Sequence, residues 1–355
     1  MDSSSGDKTQ AYGNEAISSK GNRPVEEHVV VIGAGLSGLT AAARLEAEGF
    51  TVTVLEKSRG PGGRMSTRRE PAGQFNLGAQ YFTASHPAFI ELISTAMSLG
   101  VVKEWQARIG VLDSTGWRTA TSDLRRFVGM PGMNALCRHL VSPLRDVRFN
   151  WAVAQLDHSE MGWKITSSNG DILTADALVL TTPPEQARKL LPAGVLNGLL
   201  DSLQMKPCWA VMAVLDQPIL EDFDAAFINM GPLSWIAAQA DHANSGSAWV
   251  LHASADWSRK NLEKDSHWVS SELLLEARKL AGAEHLQVVW SKAHRWRYCQ
   301  AVEPLRNGVL HLPASRLVLA GDWCQGSKVE GAFRSGMHAA DSLVQTTGVY
   351  AKTDG

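Results

Sequence analysis

The chain has 355 residues, enough for two domains or one large one. Hydrophobic residues make up 44% and charged residues 20%, the balance of an ordinary globular protein. A formal net charge of −2 argues against a nucleic-acid partner, and no apolar run approaches the ~20 residues that cross a bilayer. Residues 1–27 are rich in Ser, Gly, Asn, Lys and Glu without apolar periodicity, which predicts a disordered tail. That tail lacks the apolar core of a secretory signal. Its acids (Asp2, Asp7, Glu15, Glu26 and Glu27) argue against a transit peptide.

Val29–Ile32 is a continuous apolar run followed at once by Gly33, the pattern of a buried parallel strand. Gly33, Gly35 and Gly38 then form G-x-G-x-x-G. The first glycine of that motif makes a tight turn. The second lets backbone approach a pyrophosphate, and the third lets a helix pack on the sheet. Leu36 and Ser37 open an Ala-rich helix to Ala47, whose N-terminus faces the phosphate site. Gly49 stops it, and Thr51–Leu55 forms the second strand. Glu56 follows, 23 residues after Gly33, where a carboxylate accepts hydrogen bonds from a ribose diol, with Lys57 next to it. Together these elements predict a Rossmann-type dinucleotide site.

Gly60-Pro61-Gly62-Gly63-Arg64 comes next and resembles the G-G-R element of the flavin-containing amine oxidase superfamily. The resemblance implies that Gly63 brings backbone against an FAD pyrophosphate and that Arg64 adds a charged donor. The alternative is a solvated basic loop, since Arg59, Arg64, Arg68 and Arg69 are all at ease in water. Phe75–Thr83 resembles the D-x-G-A segment that passes the flavin ring, with Asn76 where Asp is common. Gly78 and Ala79 suit close approach to the ring, and the resemblance sets Gln80 and Tyr81 beside it. Tyr81 and Phe82 read equally well as core aromatics.

Ser85-His86-Pro87 begins a helix with Phe89, Ile90, Leu92, Ile93 and Met97 on its buried face, ended by Gly100. Short strands are expected between Val101 and Trp117, and a helix over Met133–Leu140 after the Pro131-Gly132 turn. Val147–Leu156, Trp163–Ser167 and Asp171–Leu180 read as a meander of strands, leaving through Thr181-Thr182-Pro183-Pro184 beside the nucleotide. By resemblance, backbone near Val153 meets the adenine. Trp209–Leu215, Trp235–Ala240, Ala248–Ala253 and Leu286–Trp290 read as antiparallel strands. One helix, Ser266–Ala281, interrupts them, striped by Trp268, Leu273, Leu274, Ala277 and Leu280. The last strand runs on to Tyr298, and alternation sets Trp296 and Tyr298 on one face, Arg295 and Arg297 on the other.

Leu317–Asp322 is a buried strand ending in Gly321-Asp322, and Glu330-Gly331-Ala332 opens the last helix. This A-G-D…E-G-A-x-x-S-G pattern resembles the C-terminal FAD element of the superfamily. It implies Asp322 near the ribityl or phosphate groups and the Glu330-Gly331-Ala332 helix start aimed at the flavin end. The FAD domain is therefore built from both ends of the chain. Its expected segments are 28–84, 145–188 and 310–346, with 85–144 and 189–309 making the substrate domain. Cys137, Cys208, Cys299 and Cys324 are scattered without C-x-x-C spacing, which predicts reduced thiols in a cytoplasmic protein and no metal site.

The span from His28 to about Gln345 resembles the renalase family, especially its bacterial branch. The carrying motifs are GAGLSGL, EKSRGPGGRMSTRR, FNLGAQYFT, VGMPGMNAL, HRWRY and AGDWCQGSKVEGAFRSG. The implied fold class is α/β (α+β overall): a Rossmann-type FAD-binding domain with an antiparallel-sheet substrate domain, p-hydroxybenzoate-hydroxylase/amine-oxidase-like. The implied protein is a monomeric or weakly dimeric flavoenzyme with noncovalent FAD. It oxidises the 2- and 6-dihydro isomers of NAD(P)H to NAD(P)+ by hydride transfer to flavin N5 and reduces O2 to H2O2.

Hydride transfer needs positioning more than acid–base help, so no catalytic residue is assigned. Tyr81, Trp235, Trp296 and Tyr298 are candidate walls for a flat nicotinamide, and His252 a partner for its carboxamide. Each also reads as core packing. Arg68, Arg69 and Arg297 are candidates for a dinucleotide phosphate, with a solvated role as the alternative. Cys324 does not match a tethering position, and Lys292 does not match a flavin-adjacent lysine. Two other readings stay open. A flavin amine oxidase or desaturase acting on an amine or carotenoid-like lipid would be supported by a long apolar tunnel and such a lysine, and the short substrate domain speaks against it. A non-catalytic FAD-binding protein would show no turnover with any hydride donor.

Overall fold

The computed structural model describes residues 27–196, 198–239 and 246–353. The expected tail lies outside these residues except for Glu27, whose carboxylate accepts from the Arg316 guanidinium at 2.9 Å. Ala240, expected to end a strand, also lies outside.

β1 (His28–Ile32), α1 (Leu36–Ala47) and β2 (Thr51–Leu55) open the fold. The hairpin β3 (Thr67–Glu70) and β4 (Gly73–Asn76) follows, then α2 (Pro87–Ser98), β5 (Val102–Glu104), β6 (Ile109–Asp113), β7 (Gly116–Thr119), β8 (Phe127–Gly129) and α3 (Ala135–Val141). Next come β9 (Asp146–Arg148), β10 (Val153–Ser159), β11 (Gly162–Ser167), β12 (Ile172–Ala175), β13 (Ala177–Leu180) and α4 (Pro184–Leu190). The remainder is β14 (Met205–Leu215), β15 (Ala225–Ile228), β16 (Leu233–Ala238), β17 (Ser247–Ala253), α5 (Ala255–Lys260), α6 (Ser266–Leu280), β18 (Val288–Ala301), β19 (Leu310–Leu312), β20 (Leu317–Leu319) and α7 (Val329–Thr353).

Six strands form one sheet in the order β19-β20-β13-β1-β2-β9, parallel except for β19. β1 lies in its middle and is covered on both faces, which is why Val29–Ile32 carries no polar residue. On one face α1 packs against α7, where Gly336 leaves room for the Ser37 carbonyl and the Thr40 side chain. On the other lies the three-stranded sheet β10-β11-β12, anchored by Trp163, whose indole N–H donates to the Ser315 carbonyl at 2.7 Å. The second large sheet has seven strands, β18-β14-β17-β16-β15-β6-β7, with α6 packed on it through Val269, Leu273, Leu274 and Ala277. The α6 N-terminus is capped by Asp265, whose carboxylate accepts from His267 and Trp268 N–H groups.

The structure departs from several expectations. Val147–Leu156 is not one strand: β9 joins the parallel sheet and β10 the three-stranded one. The chain turns between them at Asn150, φ 55°, a left-handed conformation that Asn tolerates. Asp171–Leu180 likewise splits at Asp176 into β12 and β13, in different sheets. The seven-stranded sheet is not wholly antiparallel, because β15 runs parallel to β6. The segment 85–144 divides between the two cores. α2 and α3 pack with the β1–α1 core through Phe89, Ile93 and Leu136, whereas β6 and β7 join the seven-stranded sheet. Ile90, expected inside, is 45% exposed, so the buried face of α2 is Phe89, Ile93 and Ala96. α4 and α5 were not expected. No helix among the described residues is long and apolar enough to cross a membrane.

Candidate functional site

A cavity of about 1570 Å³ runs from the C-terminal edge of β1 and β2 to the face of the seven-stranded sheet. A single small-ligand pocket occupies ~300–1,000 Å³, so this one has room for a dinucleotide and a second molecule.

At its phosphate end, Gly33 has φ +110° and Thr181 Oγ1 lies where a Cβ would go. Gly38 lacks a Cβ because the Gly33 carbonyl oxygen already fills that volume, which is how α1 reaches the sheet. A Cβ on Gly35 would meet no protein atom within 4 Å and would stand in the cavity itself. Among the described residues no side chain caps α1, and no acid lies in its first turn, so its N–H groups face the cavity unneutralised. The buried hydroxyls of Ser37, Thr182 and Ser327, all in the cavity wall, have no hydrogen-bond partner among the described residues. An orphaned hydroxyl asks for a ligand or water. Lys57, Arg59, Arg138, Lys189 and Lys328 also line this wall, against the carboxylates of Glu56 and Asp322. These features fit an FAD pyrophosphate and its flanking riboses.

Glu56 ends β2 with its carboxylate held by backbone: Oε2 accepts from Ala34 N–H at 2.9 Å and Oε1 from Ser58 N–H at 2.8 Å. Each oxygen keeps a lone pair for a ribose hydroxyl. Val153 and Leu36 line the same region, and Lys57 Nζ lies 3.4 Å from Gln186. Gly63 packs on Gly35, and Gly78 on the Arg64 carbonyl, which also accepts from Ala79 N–H at 2.9 Å. Arg64 and Asp322 meet each other rather than standing apart. The guanidinium donates to Asp322 Oδ1 at 2.6 Å and Oδ2 at 2.9 Å, and to the Cys299 carbonyl at 2.8 Å. Burial works against the charged guanidinium, but the Asp322 charge and hydrogen bonds outweigh it and hold Arg64 above the ordinary arginine value. Gly321, Asp322 and Ala332 line the cavity.

Glu330 and Gly331 do not. Glu330 ties α7 to the start of α2, accepting from Ser85 Oγ at 2.8 Å and His86 N–H at 3.1 Å. Gly331 gives room to the Gln325 carbonyl. Gln80 also stands back from the wall. Its amide donates to the Asn76 and Gly78 carbonyls, and its Oε1 accepts from Gln239 at 2.9 Å. Asn76, in the place of the expected Asp, accepts from Thr67 Oγ1 at 2.8 Å and Met133 N–H at 2.9 Å.

At the other end, Tyr81, His252, Trp296 and Tyr298 line the cavity and Trp235 does not. Trp235 is buried behind Tyr81, ring centroids 5.8 Å apart, with Phe227 on its other side at 4.6 Å. The Leu77 carbonyl accepts from His252 Nε2 at 2.8 Å and from the Trp296 indole N–H at 3.3 Å. His252 therefore carries its proton on Nε2, leaving Nδ1 an acceptor, and burial holds its pKa below the ordinary histidine value. His294, which the sequence reading passed over, is the second imidazole of the wall. It lies opposite Ala210, as His252 does from the other side, and packs edge-on to Trp296 at 4.6 Å. Burial and then Arg68 push its pKa down to about 4. Its i, i+2, i+4 spacing with Trp296 and Tyr298 was the available signal.

Arg68, Arg295 and Arg297 border this end, and Arg295 and Arg297 both pair with Glu263. Arg69, on β3, is not part of the wall. Lys292 Nζ donates to Glu70 at 3.0 Å, outside the cavity. Cys324 is buried with its thiol toward the Leu319 carbonyl. Cys208 and Cys299 do line the cavity, though scattered spacing gave no hint of it. No cluster of three metal-ligating side chains occurs among the described residues.

Comparison with known proteins agrees with this geometry. Residues 31–95 match the NAD(P)-binding Rossmann-like domain model. An L-amino-acid oxidase of Daboia russelii is 44% identical over 69 residues, 19% of this chain and 14% of that protein. The zeta-carotene-forming phytoene desaturase of Myxococcus xanthus is 50% identical over 50 residues, 14% of this chain and 10% of that protein. These matches span a small part of either relative's length. The solved structure of cyclohexylamine oxidase from Brevibacterium oxydans IH-35A superimposes with a TM-score of 0.71 at 14% identity, covering 90% of this chain and 99% of that one. That likeness is one of fold. The flavin-containing amine oxidoreductase model matches residues 114–344, well over half of the sequence, so the chain belongs to that family of FAD-dependent oxidoreductases.

Proposed function

We propose that the protein oxidises the 2- and 6-dihydro isomers of NAD(P)H to NAD(P)+, a renalase-type activity in which O2 becomes H2O2. The observation that carries this reading is the far end of the cavity, where neutral imidazoles and indole and phenol rings stand beside arginines.

Bound FAD, held by the α1 N-terminus, Glu56 and the Gly63 loop, would supply the two-electron acceptor at flavin N5 and the redox link to O2. The rest is the work of the chain. Trp296, held by the Leu77 carbonyl, and Tyr298 offer flat faces to a dihydronicotinamide. His252 Nδ1 accepts from the carboxamide. Arg68 and Arg297 meet the dinucleotide phosphates, with Glu263 setting the angle of Arg297. Loss of hydride leaves positive charge on the nicotinamide ring. His252 and His294, both neutral at pH 7, place no opposing cation against it. Lys292, tied to Glu70, is not available to hold a water in the cavity, which speaks against an amine substrate.

The test is anaerobic stopped-flow absorbance with equilibrated NADH that contains the isomers. Flavin bleaching in proportion to the isomer fraction, reversed by air, supports the assignment. Bleaching by an amine or amino acid with none from the isomers transfers the site to conventional amine oxidation and ends this reading.

A further inference from the structure

Cys208 and Cys299 have no place in the mechanism above, yet both face the cofactor cavity. They lie on neighbouring strands, β14 and β18. The pairing there is irregular: Lys206 faces Gln300 and Cys208 faces Trp296, so Arg297, Tyr298 and Cys299 stand opposite Pro207 alone. That bulge sets Cys299 beside Cys208 across the strand pair, in one stretch of the cavity wall. On the far side of Cys299, Arg64 donates to its backbone carbonyl.

We propose that Cys208 and Cys299 form a peroxide-responsive dithiol, in which Cys299 attacks hydrogen peroxide from the cofactor cavity and Cys208 closes a cross-strand disulfide onto it. The Cys299 sulfur takes one peroxide oxygen, giving a sulfenic acid and releasing the other oxygen as hydroxide. The Cys208 sulfur displaces the sulfenic hydroxyl, and its proton leaves with that group as water. Two thiols and one peroxide thus become one disulfide and two waters. The roles follow from the surroundings. Cys299 is partly exposed in the cavity wall, where neighbouring Cys208 and the Arg64 charge draw its thiol below the ordinary cysteine pKa, whereas Cys208 is buried with its thiol donating to the Trp209 and Ala253 carbonyls, and Cys299 and burial push it up. Cys137 is fully buried at about 12, and Cys324 is pushed up further. Neither has a thiolate to offer.

The pair does not depend on which hydride donor the enzyme uses. The FAD-loaded protein is treated with hydrogen peroxide, alkylated under denaturing conditions and mapped by peptide mass. The expected product joins the Cys208 and Cys299 peptides, is reversed by dithiothreitol, and leaves Cys137 and Cys324 alkylated. In Cys208→Ser, dimedone traps a sulfenic acid on Cys299. In Cys299→Ser, Cys208 stays open to alkylation after the peroxide dose that closes the bridge in the unmodified protein. The flavin-to-protein absorbance ratio confirms that each variant is folded. Both thiols still alkylated after peroxide in the unmodified protein, or Cys299 driven to sulfinic acid beside a reduced Cys208, would overturn the proposal. Cys208 closed to alkylation in Cys299→Ser at that dose would do the same.

Discussion

Arg64 and Asp322 stand 258 residues apart in sequence and share two hydrogen bonds, so one ion pair joins the two ends of the nucleotide-binding half. Their side chains are 28% and 10% exposed, so water screens the pair only in part. Replacing Arg64 by Met leaves a carboxylate in the wall with no partner and frees the Cys299 carbonyl. Up to about 3–5 kcal/mol of stability is expected to go, the range for breaking a buried pair by removing one member. Urea denaturation of Arg64→Met measures it, and Arg64→Met/Asp322→Leu should recover most of the loss. A double variant no better than the single one would place the effect in packing, not charge. The motifs imply Arg64 at the pyrophosphate and Asp322 near the ribityl or phosphate groups, but they carry no sign that the two meet. The same guanidinium donates to the Cys299 carbonyl of β18, so a third segment fixes its place.

Among the elements, α1 bears the most. It is wedged between the parallel sheet and α7, and Leu39 is fully buried in that wedge. Leu39→Ala is expected to cost about 2–5 kcal/mol, from lost apolar transfer and the cavity left behind. Since the α1 N-terminus forms the phosphate end of the site, the same change should weaken FAD retention, read as a lower flavin-to-protein ratio after gel filtration. Lost stability with FAD retention unchanged would mean that α1 tilts without moving its first turn. The bounds of α1 were legible because Gly35 and Gly49 mark its ends and every third or fourth residue is apolar. The splits of 147–156 and 171–180 were not. A sequence run carries strand character but not the sheet a strand joins, and at Asn150 and Asp176 the chain changes sheets.

For the whole molecule, the two imidazoles in the cavity wall set a pH dependence. The folded pKa of His294 is about 4, against ~6.5 in an unfolded chain. As pH falls below ~6.5 the unfolded state takes up the proton first. Stability from this group is therefore complete above ~6.5 and is lost progressively down to about 4. His252 adds to the same slope. Glu330 and Asp146 are held below the ordinary carboxylate values, so their losses come at lower pH still. The melting temperature should decline from about pH 6.5 to about pH 4, and His294→Gln should flatten that decline. An equally steep decline in His294→Gln would mean that His294 is already protonated in the fold.

The sequence by itself determined the Rossmann-like frame of the nucleotide half: the glycine spacing, the acid after the second strand and the glycine loop that follows it. Those are backbone requirements within short spans, and local residue types can declare them. Alternation along β18 predicts Trp296 and Tyr298 on one face and Arg295 and Arg297 on the other, but with the bulge at 297–299 all four line the cavity. Only the tertiary structure decided that Trp235 stands behind Tyr81, that Glu330 stitches α7 to α2, and that Lys292 is drawn away to Glu70. It alone set His294 beside His252 across Ala210, and Cys208 beside Cys299 across a bulge. Those neighbours come from strands far apart in the chain. Which residues meet there depends on register, bulges and the path between sheets, which only the packed whole defines.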